Sequence, residues 1–179
     1  MAGAPRIRTR ELITHPWLTV CVQIALGAIF VVAALPKIAD PPSFAHLVYN
    51  YRLLPGSLIN LTALVMPWIE LIAGLALIAG VWAAAARGVI AGLLVLFMTA
   101  IAINLARGNA IDCGCFDVSA VDKSYEERIA DMWWVLARDA GMLLMVAQLW
   151  AADRAGHRRE RARTALDRMP HAFGGRLLH

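Results

Sequence analysis

The sequence predicts an all-α integral membrane protein: a four-helix bundle with a short outer amphipathic helix and an outer Cys-Gly-Cys loop. Composition is the first ground. Apolar residues make up 60% of the chain and charged residues 17%, with a mean hydropathy of +0.61, far from the balance of a soluble domain of this length. Length is the second. Stretches at about residues 17–38, 58–81, 88–106 and 132–152 are each apolar enough, and long enough, to cross a hydrocarbon core that takes about 20 helical residues. These backbones must be helical, because no water is at hand to satisfy open polar groups.

Charge placement is the third ground, and it orients the bundle. Arg6, Arg8 and Arg10 precede the first span and Arg87 falls in the turn between the second and third. Arg154, Arg158, Arg159, Arg161, Arg163, Arg168 and Arg176 follow the last. Segments rich in Lys and Arg stay in the cytoplasm, so residues 1–16 and 153–179 are expected inside. The other face carries Arg52, Arg107, Lys123 and Arg128 against a larger set of acids that includes Asp40, Asp112, Asp117 and Asp122. The expected location is therefore a bacterial-type plasma membrane, with both long loops outside. An Arg-rich tail beside a membrane fixes topology and touches anionic lipid, and no nucleic-acid role is assigned to it. The first apolar run exceeds the roughly 7–15 residues of a signal-peptide core, which favours a retained helix over a cleaved leader.

Element by element, the tryptophans fit this layout. Trp17, Trp82 and Trp150 fall at the expected inner boundary and Trp133 and Trp134 at the outer one, whereas Trp68 lies well inside the second span. Small residues at helical spacing, Ala84, Gly88 and Gly92, and again Gly74 and Gly80, are expected to let helices approach closely. Between the first two spans, Pro41-Pro42-Ser43 opens a segment in which Phe44, Leu47, Val48 and Tyr51 recur at i, i+3, i+4 and i+7, and Pro55-Gly56 closes it. That pattern predicts a short amphipathic helix with His46 and Asn50 turned away from its apolar face.

Ionisable residues inside the spans are costly in hydrocarbon and face a partner or a wet cavity. Glu70 stands near mid-depth, three residues after Pro67. Arg138 and Asp139 lie about two turns into the last span, Lys37 at the outer end of the first and Asn104 at the outer end of the third. At about 1.5 Å rise per residue, depth alone pairs Glu70 with Arg138 and leaves Asp139 to Lys37. Such a set reads either as ion pairs that fix helix register or as a site for protons or a quinone.

The polar stretch after the third span holds Cys113-Gly114-Cys115-Phe116. A bridge between residues i and i+2 forces a tight, strained ring, and strained disulfides exchange readily. Asp112 and Asp117 beside the pair disfavour a thiolate, which suits a site attacked by a partner's thiolate. A metal site needs more ligands than His46 adds, so no metal is assigned. Cys21, roughly 25 Å from the loop by helix rise, reads as a small core residue.

Asp112-Cys113-Gly114-Cys115-Phe116 after a third span, Tyr51-Arg52-Leu53-Leu54-Pro55 before the second, Glu70 within it and an Arg in the fourth together resemble the MauE (methylamine utilisation) family, within the wider DoxX-like group. The resemblance covers about Lys37 to Asp139. It implies a membrane partner for an extracytoplasmic thioredoxin-like protein, used in maturing disulfide-containing or cofactor-modified proteins such as methylamine dehydrogenase. Asp117 stands where the family usually has Gly, and the Arg-rich tail falls outside the shared core.

From residues and resemblance together, the expected function is extracytoplasmic thiol–disulfide exchange. Cys113, Cys115, Glu70 and Arg138 are the candidate catalytic residues, and Trp68, Glu70 and Arg138 a candidate site for a membrane quinone. The alternative is a non-enzymatic accessory or assembly subunit whose cysteines only constrain a loop. A transporter ranks third, because the chain lacks paired broken helices with converging polar groups.

Overall fold

The computed structural model describes residues 14–111 and 124–167. Among the described residues, four long helices and one short one make up the regular structure: α1 (Pro16–Ala39), α2 (Pro41–Asn50), α3 (Gly56–Ala79), α4 (Ala83–Ala106) and α5 (Tyr125–Asp167). All four long helices have the length and apolar composition to cross a membrane. This is the expected all-α membrane bundle, and α2 is the expected amphipathic helix. The residues Val22–Val146 form one compact unit, and the described residues up to Cys21 and from Ala147 onward form a second. In the second, the Gln148 amide lies 3.5 Å from the Thr19 hydroxyl.

Local chemistry explains the breaks. Asp40 caps α2 by accepting from the Ser43 backbone amide at 3.2 Å, with Pro41 and Pro42 filling first-turn positions whose N–H groups have no helical partner. Hydrogen bonds from the Ser43 hydroxyl and, next to it, the Ser43 backbone amide hold the Asp40 carboxyl below the usual carboxylate range. The cap therefore stays charged at neutral pH, and its contribution falls away only as pH drops through that lowered value. Gly80 ends α3 at φ 70°, a left-handed conformation that glycine adopts without a Cβ penalty. At the start of α5, Ser124 and Glu127 cap each other reciprocally: the Glu127 carboxylate accepts from the Ser124 amide and hydroxyl, and the Ser124 hydroxyl accepts from the Glu127 amide.

Two boundaries differ from expectation. α4 begins five residues earlier than the predicted span, so Arg87 is not in a turn but one turn inside the helix. It is 5% exposed, and its Nε donates to the Ala83 carbonyl. The last helix runs for 43 residues rather than about 20, because the capping pair starts it before the apolar run and its Arg-rich end contains no Pro to stop it.

α1 and α3 meet at Gly27 and Gly74. A Cβ on Gly74 would lie 2.8 Å from the Gly27 carbonyl oxygen, and one on Gly27 would lie 2.7 Å from the Gly74 carbonyl oxygen. Backbone meets backbone here, which is how membrane helices gain packing without a hydrophobic drive between them. The Gln23 amide donates to the Leu77 carbonyl at 2.7 Å one turn further along. Gly74 thus does what its spacing predicts. Gly88 and Gly92 do not, since nothing lies within 4 Å of a Cβ at either, and Ala84 beside them is exposed. Gly27 had no small neighbour three or four residues away to announce it. Cys21 is exposed rather than part of a core.

Candidate functional site

The bundle buries a set of charges between its helices. Lys37 and Glu70 are each 2% exposed, and the Lys37 ammonium donates to both Glu70 carboxylate oxygens at 2.7 and 2.9 Å. Asp139 is also 2% exposed, and accepts from Arg138 Nη2 at 2.8 Å and Nε at 3.0 Å. The pairing expected from depth is therefore exchanged: Glu70 belongs to Lys37, and Arg138 to its own neighbour Asp139. The physical reason is reach. The Lys37 stem carries its ammonium away from the end of α1 towards Glu70, and the Arg138 guanidinium folds back over one residue, so Cα depths were a poor guide to where the charges sit.

All four residues border one small cavity of about 30 Å³, together with Phe30, Phe97 and Met142. Asp139 also lies within electrostatic reach of Lys37. Two cations and two anions make a neutral group, which is the condition under which such residues are tolerated so deep. Lys37 is held from two further sides, its Nζ 5.3 Å from the centroid of the Phe44 ring and 5.2 Å from that of Phe97. Prolines lie close in sequence to both partners, Pro36 beside Lys37 and Pro67 one turn before Glu70, and each removes a helical N–H.

Trp68 is not brought to this site. It is 48% exposed, whereas Glu70, two residues on and about 200° round the helix, faces inward. Glu70 and Arg138 do line the same cavity. Cys113 and Cys115 lie outside the described residues.

What the structure describes next to the cysteine loop is a pinned junction. Asn104 is completely buried. Its side-chain amide donates to the Tyr51 carbonyl and to the Ala100 carbonyl, each at 3.0 Å, while its own backbone carbonyl accepts from the Asn109 amide at 3.0 Å. One residue thus ties the end of α2 to the end of α4 and to the segment leading towards Cys113. Tyr51, Ile101, Ile111, Met132 and Val135 pack as one apolar cluster around this junction, and the Tyr125 hydroxyl donates to the Gly108 carbonyl at 3.2 Å. A polar cavity of about 340 Å³ opens beside it, with Arg52, Arg128, Asn50 and Asn109 in its walls. Arg52 takes φ 51°, a left-handed value that is uncommon for a residue with a side chain. Sequence reading placed Asn104 near the loop but gave it no role. Its signal was a lone amide in an apolar run, which is costly unless a buried backbone group needs it. Asn104→Leu should cost about 1–3 kcal/mol by removing the buried hydrogen bonds to the Tyr51 and Ala100 carbonyls, read as a lower unfolding midpoint in detergent.

Comparison with known proteins gives the relationship. The family profile described as methylamine utilisation protein MauE matches residues 15–152. The chain is 40% identical over 134 residues to the methylamine utilization protein MauE of Methylorubrum extorquens, covering 74% of this chain and 68% of that protein. It is 35% identical over 151 residues to the protein of the same name from Paracoccus versutus, covering 82% and 77%, and 36% identical over 106 residues to that of Methylophilus methylotrophus, covering 59% and 56%. No solved structure matches significantly. The chain belongs to the MauE family.

Proposed function

We propose that this chain is a membrane component of thiol–disulfide exchange outside the cytoplasm, working with a thioredoxin-like partner in the maturation of other proteins, in the setting of methylamine utilisation that its relatives' names carry. The observation that carries the reading is the Cys113-Gly114-Cys115 pair, two residues beyond a junction tied by Asn104 and packed by the Tyr51 cluster. A thiolate of one protein attacks a disulfide sulfur of the other, a mixed disulfide forms, and the neighbouring thiol displaces it. Electrons pass between the pair and a membrane quinone. Glu70, Lys37, Arg138 and Asp139 supply ionisable groups around one buried cavity, as a redox step coupled to protons needs. Both termini are cytoplasmic in this reading, and the dithiol loop faces outward.

Exchange of this kind predicts trapped intermediates. With Cys113→Ser or Cys115→Ser, the resolving thiol is gone, and the partner should accumulate as a reductant-sensitive adduct on a non-reducing gel; the double variant should show none. A membrane-impermeant thiol reagent on intact, reduced cells should label the pair and leave Cys21 unlabelled. Labelling of the pair only after permeabilisation would reverse the orientation. If neither single variant gives an adduct and both keep full activity, the non-enzymatic accessory reading replaces this one. That reading draws on the neutrality of the buried charges, which by itself suffices to fix helix register.

A further inference from the structure

A second cavity, of about 220 Å³, opens between α2, α3 and α4, with Phe44, Tyr51, Thr62, Met66, Phe97 and Ala100 in its wall. Half of the residues in this wall belong to helices of membrane-spanning length, and the cavity opens between them, so its occupant comes from the hydrocarbon phase. An apolar cavity of about 150 Å³ takes up one benzene ring. The space here suits one substituted six-membered ring whose tail remains among the lipids, and is too small to enclose a folded lipid.

Two features distinguish it from a slot for an acyl chain. The first is Thr62. Thr19, Thr99 and Thr164 each turn their hydroxyl back to the carbonyl four residues earlier, as helical threonines do. The Thr62 hydroxyl makes no such bond, nor any other among the described residues, and it lines the cavity. Among the described residues it is a donor with no protein partner, on a wall whose other polar side chain is that of Tyr51. The second is the position of the ion pair. Phe44 and Phe97 form part of the wall, and the Lys37 ammonium sits against both rings, at 5.3 and 5.2 Å from their centroids. Phe97 is shared with the small cavity that Glu70, Arg138 and Asp139 border. An aliphatic chain has no use for a hydroxyl donor or for a cation one ring away. A ring that carries carbonyl oxygens, and gains negative charge as it is reduced, has use for both.

We infer that this cavity under α2, and not the Trp68 face, binds the ring of a membrane-soluble quinone, with the Thr62 hydroxyl donating to one ring carbonyl and the Lys37–Glu70 pair acting behind the aromatic wall. The inference rests on the exchange reading above for its electron source. Oxidation of the Cys113 and Cys115 thiols to a disulfide releases two electrons and two protons, and the two ring carbonyls take up both to give the hydroquinone. Thr62 touches the ring. Lys37 and Glu70 are positioning residues that hold charge and a proton beside it.

The test separates ring binding from thiol chemistry by using the full chain with Cys113→Ser and Cys115→Ser, in phosphatidylcholine nanodiscs. The probe is a short-tailed azidoquinone, cross-linked by light and mapped by mass spectrometry. Label is expected on residues 44–66 and 96–100, displaced by ubiquinone-1 and not by oleate. Thr62→Val, which keeps the shape and removes the donor, should weaken displacement by ubiquinone-1 about 5- to 10-fold. Ala100→Phe, which fills the space, should abolish specific labelling, and Thr62→Val serves where that variant does not fold. Equal displacement by oleate makes the cavity an acyl-chain slot and overturns the inference, as does label centred on Trp68 or label unchanged by Thr62→Val. Because this background has no thiol pair, failure here leaves the exchange reading intact. Absence of mixed disulfide in the single-cysteine variants counts against exchange and not against ring binding.

Discussion

Lys37→Met is expected to cost the folded protein about 3–5 kcal/mol, because it strands the Glu70 carboxylate in a site that is 2% exposed. Glu70→Gln should act in the same direction, leaving the ammonium between two phenylalanine rings with a neutral partner. Each is read as a loss of folded protein in the membrane and as a lower midpoint in a denaturant titration. The double variant Lys37→Met/Glu70→Met is the informative one. Replacing both charges by apolar groups of similar volume removes the desolvation cost together with the attraction, so its stability should return to within about 1 kcal/mol of the parent. If the pair serves only to set helix register, this double variant regains activity with its fold. In the reading preferred here it folds, gives mixed disulfides with the partner, and fails in quinone turnover. A Lys37→Met variant as stable as the parent would show that the pair is not desolvated at all.

Gly74→Leu is expected to be the most damaging change away from the charges. The added Cβ alone would stand 2.8 Å from the Gly27 carbonyl oxygen and 3.0 Å from a Val31 side-chain methyl. The first of these is backbone and cannot swing aside. Overpacking costs typically about 1–3 kcal/mol, and a branched side chain at a backbone contact belongs at or above the upper end. Separating α1 from α3 also pulls Lys37 from Glu70, since each stands on one of these two helices. Turnover should therefore fall in whatever fraction still folds. Gly92→Leu is the matched control. Nothing lies within 4 Å of its Cβ, so the change in stability should stay within about 0.5 kcal/mol. Equal effects at the two glycines would contradict the helix contact described here.

The sequence by itself determined the class, the four spans and the short helix between the first two. Those features are written in composition, in the length of apolar runs and in a 3.6-residue period, and bilayer thickness and backbone satisfaction allow few other outcomes. It also singled out Glu70, Arg138, Lys37, Asp139 and Asn104, because a polar residue in hydrocarbon is conspicuous whatever surrounds it. Tertiary structure alone decided who pairs with whom. Lys37 and Glu70 are 33 positions apart, and nothing local says that the Lys37 ammonium, rather than Arg138, reaches the carboxylate. The reach of a long side chain and the crossing of α1 over α3 at Gly27 and Gly74 set that. The same holds for the two faces of one helix: Trp68 and Glu70 are two residues apart in sequence, yet the first is exposed and the second is buried in the core, so nearness along the chain could not make them one site. The role of Asn104 was hidden for a related reason. The group it bonds, the Tyr51 carbonyl, comes within its reach only once α2 has ended against α4.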